Sequence, residues 1–201
     1  MRQTREQTAI TRSHIVDTAA RVFREQGIHG IGVADLMGEA GLTHGGFYKH
    51  FASKDALAAE ACTRALAQTR EALAHRAEAA TDANALATLV ATYLSPAHRD
   101  HPGQGCAIAA LGSEAMRGES AAQAAMVEGV DALLQLIRQH MARSGVSEAE
   151  RPAHAVLAAM VGGLMLSRVL QDPARVHAVL SDTQAFILGA PKAAHEKSRR
   201  S

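Results

Sequence analysis

Residues 42–54, with the sequence LTHGGFYKHFASK, combine basic and hydroxyl side chains and include no acidic residue. Several of these side chains can donate hydrogen bonds to phosphate oxygens or to the edges of bases, namely Thr43, His44, Tyr48, Lys49, His50 and Lys54. The adjacent Gly45 and Gly46 would each cost a helix roughly 1 kcal/mol relative to alanine. A close approach to DNA could require residues this small, and so could tight packing on a neighbouring helix.

The overall charge gives no independent sign of nucleic-acid binding. The 201 residues carry a formal net charge of +1, and residues 1–60 hold as many acidic as basic side chains. Any binding to DNA must therefore depend on where the basic side chains are placed.

The two cysteines are too few for a disulfide framework, which favours a reducing compartment. Cys106 follows the sequence HPGQG at the start of a predicted helix, where the helix dipole would stabilise a thiolate and raise its reactivity. Cys106 is therefore a candidate sensor of oxidants or electrophiles, with a buried, inert cysteine as the alternative. Cys62 lies in an apolar-rich predicted helix and is expected to be a packing residue.

Other side chains of the C-terminal half could line an adaptable ligand cavity, namely Tyr93, Met116 and Met160 beside Cys106. A methionine at helical spacing can equally well fill the core. The pair His98 and His101 with Cys106 offers metal-binding atoms, but the spacing matches no closed metal motif. We therefore predict no metal and no cofactor.

The sequence contains no nucleophile elbow, no phosphate-binding loop and no dinucleotide-binding pattern. Cys106 with His101 is the one pair that could act in an enzyme. We therefore expect a binding protein without catalytic activity, and the alternative to a DNA-binding protein is a helical interaction module.

The elements that position these residues are expected to be helices throughout. Hydrophobic residues make up 47% of the chain and aromatic residues 3%, and alanine is abundant, which favours an all-α fold. Helical periodicity and capping residues predict nine helices, over residues 12–26, 33–40, 44–50, 54–79, 82–95, 106–117, 120–142, 148–169 and 173–188. Residues 95–105 are predicted to be a loop.

Specific residues are expected to begin or end these helices. Gly27 and Gly41 suit left-handed C-caps. The expected N-caps are Thr43, Ser53, Asp82 and Asp172. Two short helices joined by a tight turn at Gly41 have the spacing of a helix-turn-helix, with Phe47 and Phe51 anchoring the second helix to the core.

The segment GLTHGGFYKHFASKDAL resembles the DNA-binding signature of the TetR family of repressors, and ITRSHIVDTAARVFREQGIHGIGVADLMGEA resembles its first two helices. The resemblance covers residues 10–66. It implies that Thr43, His44, Gly45 and Lys49 face the major groove. It also implies phosphate contacts for Tyr48, His50 and Lys54.

The same resemblance implies a homodimer that reads a palindromic operator and releases it when a small-molecule effector or electrophile acts on the C-terminal helices. The helices over residues 148–169 and 173–188 could form the dimer seam, or could simply close the core. We expect a helix-turn-helix domain over residues 1–52, a ligand-binding and dimerisation domain over residues 53–190, and a disordered basic tail over residues 191–201. No signal peptide or membrane span is visible, so a cytoplasmic location is expected.

Overall fold

The chain forms helices and no β-strand over the residues that the structure, a computed structural model, describes, which are 5–117 and 120–189. The α-helices are α1 (Arg5–Gln26), α2 (Val33–Glu39), α3 (Lys54–Glu78), α4 (Ala85–Tyr93), α5 (Pro96–Asp100), α6 (Ala107–Ala115), α7 (Ser120–Arg143), α8 (Ala153–Val169) and α9 (Pro173–Leu188). Short 3₁₀ helices cover His44–Lys49, Asp82–Asn84 and Pro102–Gln104. The all-α prediction is confirmed. The predicted tail over residues 191–201 lies outside the described residues.

Four helix ends follow the predicted capping chemistry. Gly27 and Gly41 adopt the left-handed conformation, with φ of 83° and 68°. Ser53 and Asp172 each accept a hydrogen bond from the backbone N–H three residues on, at 3.0 and 2.8 Å. Side-chain oxygens at these positions satisfy helix donors that would otherwise have no partner.

Thr43 is the N-cap residue of the 3₁₀ helix as predicted, but its side chain makes no capping bond. The predicted cap at Asp82 is wrong. Asp82 does not cap α4, because its carboxylate forms an ion pair with Arg143, the last residue of α7, at 2.9 Å. Residues Asp82–Asn84 form a 3₁₀ turn, and α4 begins only at Ala85.

Three helices also differ from the predicted spans. Helix α1 begins at Arg5, seven residues before its predicted start at residue 12. The added turns are mostly polar and exposed, so the apolar pattern does not reveal them. The predicted loop 95–105 contains α5, which Ser95 caps by accepting the N–H of His98 at 3.2 Å. Helix α8 begins at Ala153 rather than at residue 148, because Pro152 occupies its N-cap.

The hydrophobic residues form two clusters. The first joins α1, α2, the 3₁₀ helix His44–Lys49, the first half of α3, α6 and the start of α7. Phe23 and Phe47 are fully buried in it, and each contributes on the order of 1.5–3 kcal/mol. The second cluster joins the rest of α3 with α4, α7, α8 and α9. Helix α3 therefore belongs to both clusters, although the predicted domain boundary lies at its start.

No helix in the described part of the chain is both long and apolar enough to cross a bilayer.

Candidate nucleic-acid interface and sensor region

The segment predicted to contact nucleic acid is a 3₁₀ helix, His44–Lys49, that follows α2 after a turn at Gly41. Two aromatic side chains hold it to the body of the protein. Phe47 is fully buried, Phe51 is 4% exposed, and their ring centroids are 5.7 Å apart. The predicted anchoring role of these two residues is confirmed.

The polar side chains of this segment lie on the outside. Thr43, His44, Gly45, Tyr48 and Lys49 are exposed, and Tyr48 is 66% exposed despite its size. The Tyr48 ring packs edge-on against Phe47, with centroids 5.2 Å apart. The segment thus presents several hydrogen-bond donors at the surface without an acidic neighbour in its own sequence.

The two glycines differ in their surroundings. A Cβ at Gly45 would meet nothing within 4 Å, whereas a Cβ at Gly46 would make an ordinary contact with Cε of Met37 at 3.7 Å. Neither residue has a positive φ. Of the two explanations for small residues here, tight packing within the chain therefore does not apply to Gly45.

His50 and Lys54 are less accessible than the other predicted DNA-contacting residues. Burial lowers the pKa of His50, and Arg12 and Lys49 lower it further, which favours a neutral ring. Its Nδ1 is buried and has no hydrogen-bond partner among the described residues. The Lys54 ammonium donates to the carbonyl of Ile31 at 2.5 Å, so it ties α3 to the turn before α2.

Arg12 borders this region and was not singled out from the sequence. Its guanidinium lies 4.6 Å from the centroid of the Phe51 ring and forms hydrogen bonds of 2.5 and 2.6 Å with the carboxylate of Glu60. The partners are 48 residues apart in the chain, and no local pattern joins them.

Three of the four predicted sensor residues lie in the second hydrophobic cluster. Tyr93 and Cys106 have no exposed surface, and Met160 is 1% exposed. Met116 is instead 70% exposed just after α6, so the structure does not bring it together with the other three.

Cys106 is the N-cap residue of α6, as the helix-start prediction required, but its burial is complete. Its N–H donates to Nε2 of His98 at 2.9 Å, and Nδ1 of His98 donates to the carbonyl of Tyr93 at 2.6 Å. These two bonds fix one neutral tautomer of His98. Burial lowers the pKa of His98 to about 4, against the smaller opposing effect of the Tyr93 carbonyl.

Charged and phenolic groups surround the Cys106 thiol. Arg24 and Arg168 are close enough that its charge would raise their pKa values, although burial has the larger effect and lowers both. Burial also raises the pKa of Tyr93 well above its usual value, and the neighbouring Cys106 adds to this. Cys62, by contrast, is a buried packing residue as predicted, and burial raises its pKa to about 11.

The possible metal ligands do not converge. Both ring nitrogens of His98 are occupied by backbone groups, and Nδ1 of His101 lies 2.9 Å from the carbonyl of Ala97. Within residues 5–117 and 120–189, no three His, Cys, Asp or Glu side chains are arranged to hold a metal ion.

Two side chains connect the helix-turn-helix to α6 and to Gly105 just before it. Arg24 of α1 donates to the carbonyl of Gly105 at 2.9 Å and to Oε1 of Gln68 at 2.8 Å. Glu114 of α6 accepts the N–H groups of Ile28 at 2.8 Å and of His29 at 3.3 Å. A displacement of α6 would therefore disturb the contacts that hold α1 and residues 28–29, which precede residues 42–54.

Comparison with known families gives matches to both halves of the chain. Residues 15–61 match the family described as bacterial regulatory proteins, tetR family. Residues 83–181 match the C-terminal domain of LmrA/YxaF-like transcriptional regulators.

Individual relatives agree with this assignment. The transcriptional regulator AcrR of Shigella flexneri is 37% identical over 59 residues, which are 29% of this chain and 27% of AcrR. The chain thus aligns with about a quarter of that relative's length. The structure of reduced E. coli NemR superposes with a TM-score of 0.75 at 19% identity, covering 90% of this chain and 98% of NemR.

A regulator from Saccharomonospora viridis, solved in complex with choline, superposes with a TM-score of 0.73 at 20% identity. The alignment covers 90% of this chain and 96% of that structure. At these identities the structural matches show a shared fold.

Proposed function

Since the chain belongs to the TetR family of bacterial transcriptional regulators, we propose that it is a repressor that binds a palindromic operator as a homodimer. We further propose that a small ligand or modification of Cys106 releases it from DNA. The cytoplasm is the compartment in which it would meet its operator.

The observation that carries the proposal is the exposed, acid-free surface of residues 43–49. Its hydroxyl and basic side chains can bind phosphates and base edges. Gly45 faces open space there, so the absence of a side chain has no explanation within the chain. A DNA backbone approaching that surface supplies one.

The size of this surface supports the proposed dimer, because one six-residue recognition segment would contact few bases. Two copies related by a two-fold axis would read two half-sites in successive major grooves. Helices α8 and α9 carry large apolar side chains that are at least 45% exposed, namely Met165, Leu166, Val169 and Phe186. These residues support the seam predicted between α8 and α9 of two copies.

Sequence selection from a random duplex library, at near-physiological salt, tests the DNA-binding proposal. The wild type is expected to enrich a palindrome, and a Tyr48→Ala, Lys49→Ala double variant is expected to lose it. These side chains are exposed, so the double variant should keep its fold. If the wild type enriches no sequence, the proposal is wrong and the chain is better interpreted as a helical interaction module.

Release by thiol chemistry has a separate test. Cys106 has no exposed surface, so an oxidant could reach it only after local opening. Oxidants should release the wild type from the selected duplex and leave a Cys106→Ser variant bound. Equal release of both proteins would exclude Cys106 as the sensor and leave ligand binding as the route.

A further inference from the structure

A cleft of about 390 Å³ opens between α3, α4 and the segment that carries α5. Buried Leu73 and Thr69 form its inner side, while Arg76 and His101 are exposed at its outer side. Its volume lies within the range of small-molecule sites, and an inner side less polar than the outer side suits an amphiphilic molecule.

The described lining of the cleft includes one arginine and no carboxylate. Arg76 lines it, and among the described residues no carboxylate pairs with this guanidinium. None of the described lining residues is Asp or Glu, and the nearby carboxylate of Asp100 is paired with Arg99 at 2.6 Å. An unpaired arginine at the edge of a partly apolar cleft favours a ligand that brings the negative charge itself.

We propose that this cleft binds a small amphiphilic monoanion, with a carboxylate or similar group at Arg76 and an apolar part against Leu73. A cationic ligand is disfavoured, because the cleft is lined by neither a carboxylate nor a Phe, Tyr or Trp ring that could bind a cation. The cleft therefore lacks the side chains that would bind the cation choline.

The cleft is connected to the DNA-binding domain through residues 105 and 106. Two residues that line it, Thr69 and His98, contact this stretch: the Thr69 hydroxyl lies 3.3 Å from the carbonyl of Gly105, and His98 accepts the N–H of Cys106. The same Gly105 carbonyl accepts the bond from Arg24 of α1. A ligand that shifts His98 or Thr69 would therefore shift the contact between Gly105 and Arg24 of α1. This regulatory step rests on the proposed function, whereas the binding step does not.

Calorimetric titration of the full chain tests the inference with matched pairs of probes. Hexanoic, octanoic and benzoic acids are compared with their primary amides, and choline serves as the cation. The variants are Arg76→Ala and, as a control, Arg70→Ala, which removes an exposed charge of the same helix that does not line the cleft.

At least one acid is expected to bind about tenfold or more tightly than its amide. Arg76→Ala should abolish that preference, and Arg70→Ala should retain it. The inference is overturned if no acid binds better than its amide, if choline binds better than every acid, or if Arg76→Ala keeps the preference.

Binding of the same proteins to the selected duplex separates the two proposals. If the wild type binds the palindrome but no acid, the anion site is wrong and the proposed function stands. If the acids bind as expected but no duplex is selected, the anion site stands and the proposed function is wrong.

Discussion

Gly45 is a residue at which the folded chain leaves room for a side chain that is not there. A substitution here therefore separates the needs of DNA binding from those of folding. Gly45→Ala should leave the thermal midpoint unchanged or raise it slightly, and should weaken binding to the selected duplex about tenfold, since a methyl group would enter the contact surface. Gly46→Ala is the matched control, because its Cβ would face Met37 rather than solvent. Titration of both variants by fluorescence anisotropy checks this, and wild-type affinity of Gly45→Ala would refute it.

His98 links protonation to stability. Its folded pKa of about 4 lies below the usual value of 6.5, so the unfolded chain binds the proton more tightly. The stabilising contribution is therefore complete above about pH 6.5 and is lost as the pH falls toward 4. Between pH 7 and pH 5 the loss should be about 2 kcal/mol.

Urea unfolding at several pH values measures this loss. In His98→Asn the side-chain amide can still donate to the Tyr93 carbonyl but does not titrate, so its stability should fall less over the same interval. Equal pH dependence of the two proteins would show that His98 is not the responsible group.

Glu114 supports the helix-turn-helix from outside it. Its carboxylate accepts two backbone N–H groups, one of them on Ile28, which is 5% exposed. Glu114→Ala should lower the free energy of unfolding by about 1–3 kcal/mol, because a buried donor loses its acceptor. Glu114→Gln keeps a carbonyl oxygen and should lose less. Chemical denaturation of the two variants compares them, and the interpretation fails if they are equally destabilised.

At the scale of elements, helical periodicity and capping chemistry predicted most of the structure. At Ser53 and Asp172 a capping side chain precedes an apolar stripe and the helix begins as expected, whereas Asp82 pairs with Arg143 and α4 begins only at Ala85. Polar, exposed turns such as the start of α1 carry no such signal. The conformation of residues 44–49 was predicted as α-helical and is 3₁₀, because hydrophobic spacing over six residues does not separate the two.

Helices α3 and α7 pack closely, and the sequence of neither helix alone predicts this contact. A Cβ at Gly129 of α7 would lie 2.8 Å from Cγ of Leu66, which is 4% exposed in α3. Gly129→Ala should therefore destabilise the protein by about 1–3 kcal/mol despite the better helix propensity of alanine.

Gly112 of α6 supplies the control, since its Cβ would make an ordinary contact of 3.8 Å with Ile108. Gly112→Ala should be neutral or stabilising by up to about 1 kcal/mol. Denaturant unfolding of both variants decides the matter, and a Gly129→Ala protein as stable as Gly112→Ala would contradict the packing described.

At the scale of the whole molecule, the sequence predicted the class of fold and the candidate interface, because the residues 42–54 are contiguous. It did not predict the contacts that join the two halves. Arg24 and Gly105 are 81 residues apart, and Glu114 meets Ile28 across 86 residues. Such pairs arise from the tertiary fold, and the cleft at Arg76 combines residues from α3, α4, α5 and the 3₁₀ helix Pro102–Gln104 in the same way.

Dimerisation through α8 and α9 can be tested with one charge. Phe186 is 77% exposed in α9, so Phe186→Asp should fold normally and weaken the dimer at least tenfold by placing a carboxylate in an apolar seam. Met116→Asp is the control, because Met116 is 70% exposed but lies after α6. Sedimentation equilibrium measures both, and an intact Phe186→Asp dimer would rule out this seam.

Hydroxyl-radical footprinting on the selected duplex tests most directly whether two copies of the recognition segment read successive grooves. We expect two protected patches on one face of the duplex, related by a dyad and separated by about one helical turn. They should disappear together in the Tyr48→Ala, Lys49→Ala double variant. A single patch, protection without symmetry, or protection that the double variant retains would contradict the account.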